Sequence, residues 1–300
     1  MGANFLQSKP LTQISLPVRV FDSKSFLEKI ALFFTTLPQH LELANSLSEP
    51  LSRFKLVVAH AVSIRHMSAQ MLKPFNPILG ETFQATIGWY KLYMEQVQHH
   101  PPVTRYHVQG PKDLQIHGSL EYRPYIGANT AGGVGHGAMV VEFGDGHKVE
   151  IWAPYAEVSG VLYGERAYNI VGKMTVIDRA NGLHCEVKFQ PQKKGGLRGF
   201  VSGWGASLLG TEQQRADYFE GEISGDNGST EVCKLRGHWT EDCWIDEQLY
   251  WHIDDFRGLK IKPNGPLLPS DCRFREDLIA LREGHEDLAQ VIILAFSLVL

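Results

Sequence analysis

Apolar and polar residues follow two different rhythms along this chain. Between residues 21 and 72 the rhythm is helical. Ser25-x-x-Glu28 is a capping-box pattern, and Ile30, Phe33 and Phe34 follow it on one side of the predicted helix. A second helix is predicted from "SEPL", with Ser48 as its cap and Pro50 in its first turn; Leu51, Phe54, Val58 and Ala61 recur along one face. It should stop before Lys73-Pro74, because a residue that precedes proline avoids the α region. From Thr82 to about Ile253 short runs rich in Val, Ile, Tyr and Thr alternate with turn residues, at a spacing of roughly 8 to 12 residues. Asp145-Gly146, Asn181-Gly182 and Asn227-Gly228 are hairpin signals. Helix-compatible sequence returns from Leu268 to Gln290, and the chain ends on the apolar run "VIILAFSLVL".

So many consecutive hairpins predict one large antiparallel sheet, and such a sheet escapes its exposed edges by curling into a barrel. A barrel of many strands is too wide for its own side chains to fill, so it encloses a cavity. The predicted fold class is therefore mainly β with helices (α+β): a large antiparallel β-barrel around a hydrophobic tunnel, preceded by a helical segment and followed by a C-terminal helix. With no internal repeat, low-complexity stretch or Gly/Ser linker, residues 1–300 are read as one domain. Its parts are an irregular arm at 1–20, helices at 21–72, the barrel at 73–265, and a C-terminal region at 266–300 whose tail, 291–300, is aberrantly apolar.

Charge and composition narrow the function. With 29 Lys+Arg against 33 Asp+Glu, the net charge of -4 gives no field to gather nucleic acid, so an anionic partner must meet a local basic site. Cys185, Cys233, Cys243 and Cys272 form no C-x-x-C pair, which argues against a zinc knuckle or a disulfide framework and fits a reducing cytoplasm. The N-terminus lacks a signal-peptide pattern, and Leu6 stands where a myristoylation signal after Gly2 needs Ser or Thr. Val291 to Leu300 is about half the roughly 20 residues that a membrane-spanning helix needs.

Two stretches carry candidate chemistry. In "EQVQHHPP", His99 and His100 are adjacent and two prolines follow. Four readings are open: a metal site, a catalytic pair, two structural rim histidines, or a grip for an anion. A zinc site needs three or four ligands, and adjacent histidines in extended chain point to opposite faces unless the backbone is kinked, as the prolines can do. A catalytic pair needs a nucleophile, and no G-x-S-x-G or H-E-x-x-H is present. Two imidazoles can each donate to phosphate oxygens. In "LKPFNPILGETF", Lys73 supplies a positive charge and Asn76 a side-chain donor on a path shaped by Pro74, Pro77 and Gly80; the bland alternative is a plain helix-to-strand connector.

Together with the chain start "ISLPVRVF" and the late "LPSDCRFREDLIALREG", these stretches resemble the lipid-binding domain of the oxysterol-binding protein family. The family signature reads E-Q-V-S-H-H-P-P, and Gln98 stands here in place of the serine. The resemblance runs from Ile14 to Gln290. It implies a barrel around a hydrophobic tunnel closed by an N-terminal lid, one bound sterol or phospholipid, and exchange of that lipid for phosphatidylinositol 4-phosphate between membranes. It implies that Lys73, Asn76, His99 and His100 hold the phosphoinositide headgroup, and that Phe5, Leu6, Leu11 and Ile14 form the lid at the tunnel entrance. No enzyme activity, metal or cofactor is expected, and the place of action is cytoplasmic, peripheral at organelle membranes. A tunnel makes physical sense: about 30 lipid methylenes at ~0.8 kcal/mol each would cost ~24 kcal/mol to expose to water. The alternative within the resemblance is a lipid-occupancy sensor or scaffold without bulk transport; metal-dependent hydrolysis at the histidines is a third reading.

The pattern breaks at the end. The family continues into a charged helix whose lysine, glutamate and arginine complete the headgroup site. Counted without gaps from Gly284, the lysine falls at Ile293, the glutamate at Ser297, and the arginine beyond Leu300. Three readings follow: a truncated or alternative product, a tail packed against the barrel, or a short membrane-associating end; the abruptness of the change favours the first. The "KKGGLRG" stretch at Lys193–Gly199 is read as a contact for anionic lipid or as a solvated loop.

Overall fold

The computed structural model describes residues 17–69, 72–190, 215–228 and 230–299. Phe5, Leu6, Leu11, Ile14 and Lys193–Gly199 lie outside the described residues. The predicted capping box forms: the Ser25 hydroxyl accepts from the Leu27 N–H at 3.3 Å, and the Glu28 carboxylate accepts from the Ser25 N–H at 2.9 Å. It closes β1 (Phe21–Ser25) and opens α1 (Phe26–Leu32). A 3-10 turn, Phe33–Thr36, leads to α2 (Leu37–Ser46), which the apolar periodicity does not predict; Pro38 interrupts the pattern but sits in the first turn, where no N–H is needed. Helix α3 (Pro50–Ser63) starts at the predicted proline with a different cap. Glu49, not Ser48, accepts from the N–H groups of Leu51 and Ser52, at 3.0 and 2.6 Å, and its carboxylate also meets the positive end of the helix. The helix gives way to a 3-10 turn at Ile64–Ser68, earlier than the proline rule requires.

The strand β2 (Lys73–Phe75) pairs parallel with β1 in a small sheet of its own. The strands that follow are β3 (Thr82–Ile87), β4 (Tyr90–Gln98), β5 (Val103–Gln109), β6 (Gln115–Ile126), β7 (Thr130–His136), β8 (Ala138–Glu142), β9 (Lys148–Trp152), β10 (Tyr155–Ser159) and β11 (Ala167–Asp178). After them come β12 (Leu183–Phe189), β13 (Tyr218–Gly225), β14 (Thr230–His238), β15 (Asp242–Ile245), β16 (Gln248–His252) and β17 (Ile261–Pro263). Two helices, α4 (Glu276–Arg282) and α5 (Glu286–Val299), end the chain. All three predicted hairpins form, between β8 and β9, β11 and β12, and β13 and β14.

Among the described residues fifteen strands make one antiparallel sheet, ordered β16-β15-β14-β13-β12-β11-β10-β7-β6-β5-β4-β3-β17. It forks in the middle. The twelve-residue strands β6 and β11 are bridged at one end by β7 and β10 and at the other by β8 and β9, so six strands close a ring of ladders. The sheet then curls around the helices: α1 lies against β3 and β4, while α3 reaches β15 and β16 near the opposite edge. The outer strands β16 and β17 do not pair with each other among the described residues. The helical segment spans the seam instead, with the Leu259 N–H donating to the Thr35 carbonyl at 3.0 Å and the His40 ring donating to the Tyr250 carbonyl at 3.0 Å. One apolar cluster runs through helices and inner strand faces, from Leu27, Phe34 and Phe54 to Leu92, Met174 and Phe219. All four cysteines are buried free thiols.

Gly137 sits at the fork, where the chain leaves β7 and enters β8 on the same neighbour, β6. Its φ is +123°, and a Cβ there would collide with the Ser119 carbonyl oxygen. At Gly146, φ +83°, a Cβ meets nothing within 4 Å. Gly137→Ala is therefore expected to lower the urea midpoint more than Gly146→Ala, by more than the ~1 kcal/mol that backbone conformation alone accounts for. Equal midpoints for the two variants would show that the fork is not held at Ser119.

Candidate functional site

The first motif leads out of β2. Pro74 and Pro77 bracket Phe75 and Asn76, and Gly80, at φ +79°, turns the chain into β3, with the Glu81 N–H donating to the Ile78 carbonyl at 3.0 Å. Phe75 is buried, whereas Asn76 is exposed and Lys73 half-buried. The Lys73 ammonium donates to Asn76 Oδ1 at 2.7 Å and lies 4.7 Å from the centre of the Phe21 ring, which in turn packs on Phe75 at 5.0 Å. The bond spends the Asn76 oxygen and leaves its NH2 group as the donor. No carboxylate pairs with Lys73 among the described residues. Burial first, and then the nearby Arg275 charge, push its ammonium down to about 8.

Behind this stretch lies an ion network that sequence reasoning did not assign. Glu81 is buried; its carboxylate accepts from the Ser25 hydroxyl, from the Ile78 N–H at 3.0 Å and from the Arg275 guanidinium at 2.7 Å. Arg275 also donates to the Asn76 carbonyl at 2.8 Å and, at 2.6 Å, to Asp277, which is fully buried in the first turn of α4. Burial holds Glu81 above the usual carboxylate range against the pull of Arg275. Glu81 and Arg275 both stand inside stretches that carry the resemblance, "LKPFNPILGETF" and "LPSDCRFREDLIALREG". Their partnership was hidden by the long stretch of chain between them.

The second motif ends β4. His99 to Pro102 form a turn rather than strand, and His100–Pro101 is cis. The expectation for extended chain, opposite faces, therefore does not apply: the two imidazoles lie edge to face with centroids 4.6 Å apart. Gln98, the departure from the family signature, braces this turn by donating to the His100 carbonyl at 3.2 Å, and buried Gln96 donates to the Gln98 carbonyl at 2.9 Å. The His99 ring hydrogen-bonds to the Pro77 carbonyl, which joins the two motifs. Burial and then the His100 charge lower its pKa, so the ring is neutral near pH 7. Its Nδ1 is buried and has no partner among the described residues. As it stands His99 spends its one N–H on Pro77, and it gains a second donor only on protonation.

Lys73, Asn76 and His99 are thus brought together through Pro77, with His100 beside His99. The C-terminal helix completes the surroundings in an unexpected way. Ala289 and Ile293 of α5 join Val18, Phe75, Leu278 and Ala280 in a second apolar cluster, and the Val18 N–H donates to Gln290 Oε1 at 2.7 Å. Of the apolar tail, Ile293 packs into this cluster, which lies on β1, β2 and α4 and not on the large sheet, while Val291 and Leu294 are exposed. The position where the family pattern calls for a lysine is thereby an apolar contact in the cluster that carries Phe75 and Phe21.

Known proteins resemble the chain in sequence and in fold. The chain is 29% identical over 311 residues to Oxysterol-binding protein 9 of Dictyostelium discoideum, covering 97% of this chain and 70% of that protein. It is 30% identical over 240 residues to Oxysterol-binding protein-related protein 1 of Mus musculus, covering 77% of this chain but only 23% of the mouse protein. Among solved structures, the Osh1 ORD domain in complex with cholesterol superimposes with a TM-score of 0.76 at 21% identity, over 94% of this chain and 73% of that one. The Osh3 ORD in complex with PI(4)P from Saccharomyces cerevisiae does so with a TM-score of 0.74 at 22% identity, over 94% and 77%. The family model described as Oxysterol-binding protein matches residues 4–292, and the chain belongs to that family.

Proposed function

We propose that this chain is a non-enzymatic lipid carrier that extracts a sterol or phospholipid into the interior of its curled sheet and exchanges it for phosphatidylinositol 4-phosphate. The observation that carries this reading is Lys73: an ammonium half-buried on an aromatic face, with no carboxylate partner among the described residues, tied through Asn76 and Pro77 to the histidine turn. Such a cation is short of negative charge, and a phosphate monoester, at about -1.5 to -2, supplies it in charge-assisted hydrogen bonds. The relatives solved with cholesterol and with PI(4)P support both halves of the exchange. Among the described residues no helix is long and apolar enough to cross a membrane. We take the place of action to be the cytoplasmic surface of organelle membranes, visited transiently, and residues 1–300 to act as one unit with the N-terminal arm as its lid.

Purified protein is expected to take labelled sterol and phosphatidylinositol 4-phosphate from liposomes, and His99→Ala with His100→Ala to abolish the phosphoinositide part. Unchanged phosphoinositide extraction by the double variant would sink the headgroup assignment. Tight binding with negligible transfer between two liposome populations would instead point to a sensor.

The Lys73 pKa sets a pH dependence. The ammonium loses its proton near pH 8 in the free protein, and a bound anion raises that value; the ligand therefore prefers the protonated form, and affinity falls as pH rises through 8. Between pH 7.5 and 9.5 the phosphate is already fully ionised, so the slope reports the protein. Phosphoinositide affinity measured on vesicles should drop by about tenfold over that range in the wild type and stay flat in Lys73→Met. Ile293→Lys should raise affinity for the same vesicles, because it adds an ammonium beside the Phe75 cluster, at about 1 kcal/mol or more in stability. A variant that folds and binds no better would show that the α5 position does not reach the headgroup.

A further inference from the structure

Arg65, in the turn after α3, is buried, with 8% of its surface exposed. Two other buried arginines have carboxylate partners: Arg53 lies 2.7 Å from Asp145, and Arg275 lies 2.7 Å from Glu81 and 2.6 Å from Asp277. Arg65 has none among the described residues. Its Nε donates to the Ala61 carbonyl at 2.9 Å, one helical turn back, and the groups that act on its charge are the phenols of Tyr168 and Tyr106. Burial pushes the guanidinium down to about 10, still charged at neutral pH.

The two phenols locate this cation. Tyr106 stands on β5 and Tyr168 on β11, four ladder steps apart by either branch of the fork, about 19 Å along the sheet at ~4.8 Å per strand. The turn that carries Arg65 continues α3, which packs on β9, β11, β12, β15 and β16, and it also packs on the Phe33–Thr36 turn, whose Phe34 meets Tyr106 at 5.5 Å, so Arg65 belongs to the concave side. The surroundings are rich in donors. Tyr168 meets the Trp239 ring edge to face at 6.2 Å, and the Trp239 indole N–H is buried with no acceptor among the described residues. The Tyr106 hydroxyl lies over Gly118, where any Cβ would collide with it. A buried cation without a carboxylate and an orphaned N–H, linked here through Tyr168, are costly unless an acceptor carrying negative charge serves them. A neutral sterol hydroxyl brings one acceptor and no charge.

We propose that Arg65, with Tyr106, Tyr168 and Trp239, forms an interior anion site that takes the ionised end of an amphipathic molecule, an apolar body bearing a carboxylate or sulfate and inserted charge first. This deepens the carrier reading and rests on it. The site is distinct from the one at Lys73 and the histidine turn, and it takes its ligand with the charge inside the sheet and not at the mouth.

The test compares three probes, cholesterol, cholesterol sulfate and inorganic sulfate, on the full chain. The wild type is expected to bind the sulfate ester tighter than cholesterol by on the order of tenfold to a hundredfold, the effect of charge-assisted hydrogen bonds. Arg65→Met is expected to lose that preference while still binding cholesterol, and Arg65→Lys to keep part of it. In Lys73→Met the preference should survive, because the mouth of the sheet does not hold the sulfate. Should Arg65→Met not fold, Arg65→Lys against the wild type decides, and a preference left whole in Arg65→Lys overturns the site. Equal affinity for the two sterols in the wild type, or a preference lost in Lys73→Met and kept in Arg65→Met, overturns the interior site. Competition by inorganic sulfate at the ester's own affinity overturns the amphipathic ligand, leaving a free-anion site. Binding of neither sterol removes the carrier reading as well, whereas cholesterol binding without preference removes the interior site only.

Discussion

The buried ion pair between Glu81 and Arg275 is the constraint on which the candidate site depends. Through the Ser25 hydroxyl the pair reaches the cap of α1, through the Ile78 N–H and the Asn76 carbonyl it sets the path of the connector, and through Asp277 it anchors α4. Breaking such a pair by removing one partner commonly costs ~3–5 kcal/mol, because the other charge stays buried. Replacing both with apolar residues is often tolerated elsewhere, but here the carboxylate and guanidinium also carry backbone bonds that no apolar pair can make. Lys73, Asn76, His99 and His100 are therefore not themselves the rigid part of the candidate site. They are carried by the frame of Glu81, Arg275 and Asp277, in which both carboxylates are engaged by Arg275 and neither reaches Lys73.

The frame explains why two motifs distant in sequence work at one end of the sheet. β5 starts at Val103, opposite Glu121 of β6, so the histidine turn stands at the same end as the hairpin tip between β6 and β7. The connector into β3 stands there too, since Thr82 pairs with Glu95. Antiparallel pairing brings these turns together, and the bond between His99 and the Pro77 carbonyl holds them.

Much of this was legible in the residues. The capping box at Ser25 and Glu28, the three hairpins and the β-rich stretch from Thr82 onward follow from local chemistry, in which each signal and its partner lie a few residues apart. Lys73, Asn76, His99 and His100 were legible as candidates for another reason, because two motifs are specific enough to carry a family resemblance. What escaped was decided by packing. Glu49 outcompetes Ser48 as a cap by reaching two N–H groups, α2 hides behind Pro38, and Glu81 meets Arg275 only because the sheet and α4 close on the connector. The tail keeps its break with the family pattern, since the family model ends at residue 292; within "VIILAFSLVL" Ile293 meets an apolar surface that Phe75 and Leu278 provide.

The seam between β16 and β17 gives the curl a property that a strand-closed barrel lacks. In a closed barrel, strand number and stagger fix the radius, and any change of girth breaks a ladder. Here the circumference is completed by helices, through a carbonyl of the Phe33–Thr36 turn and an imidazole of α2. Neither contact imposes a register. The girth of the curled sheet is set by how the helical segment seats in the gap, so the α1–α3 segment and not the strand count is the dimension that sizes its interior.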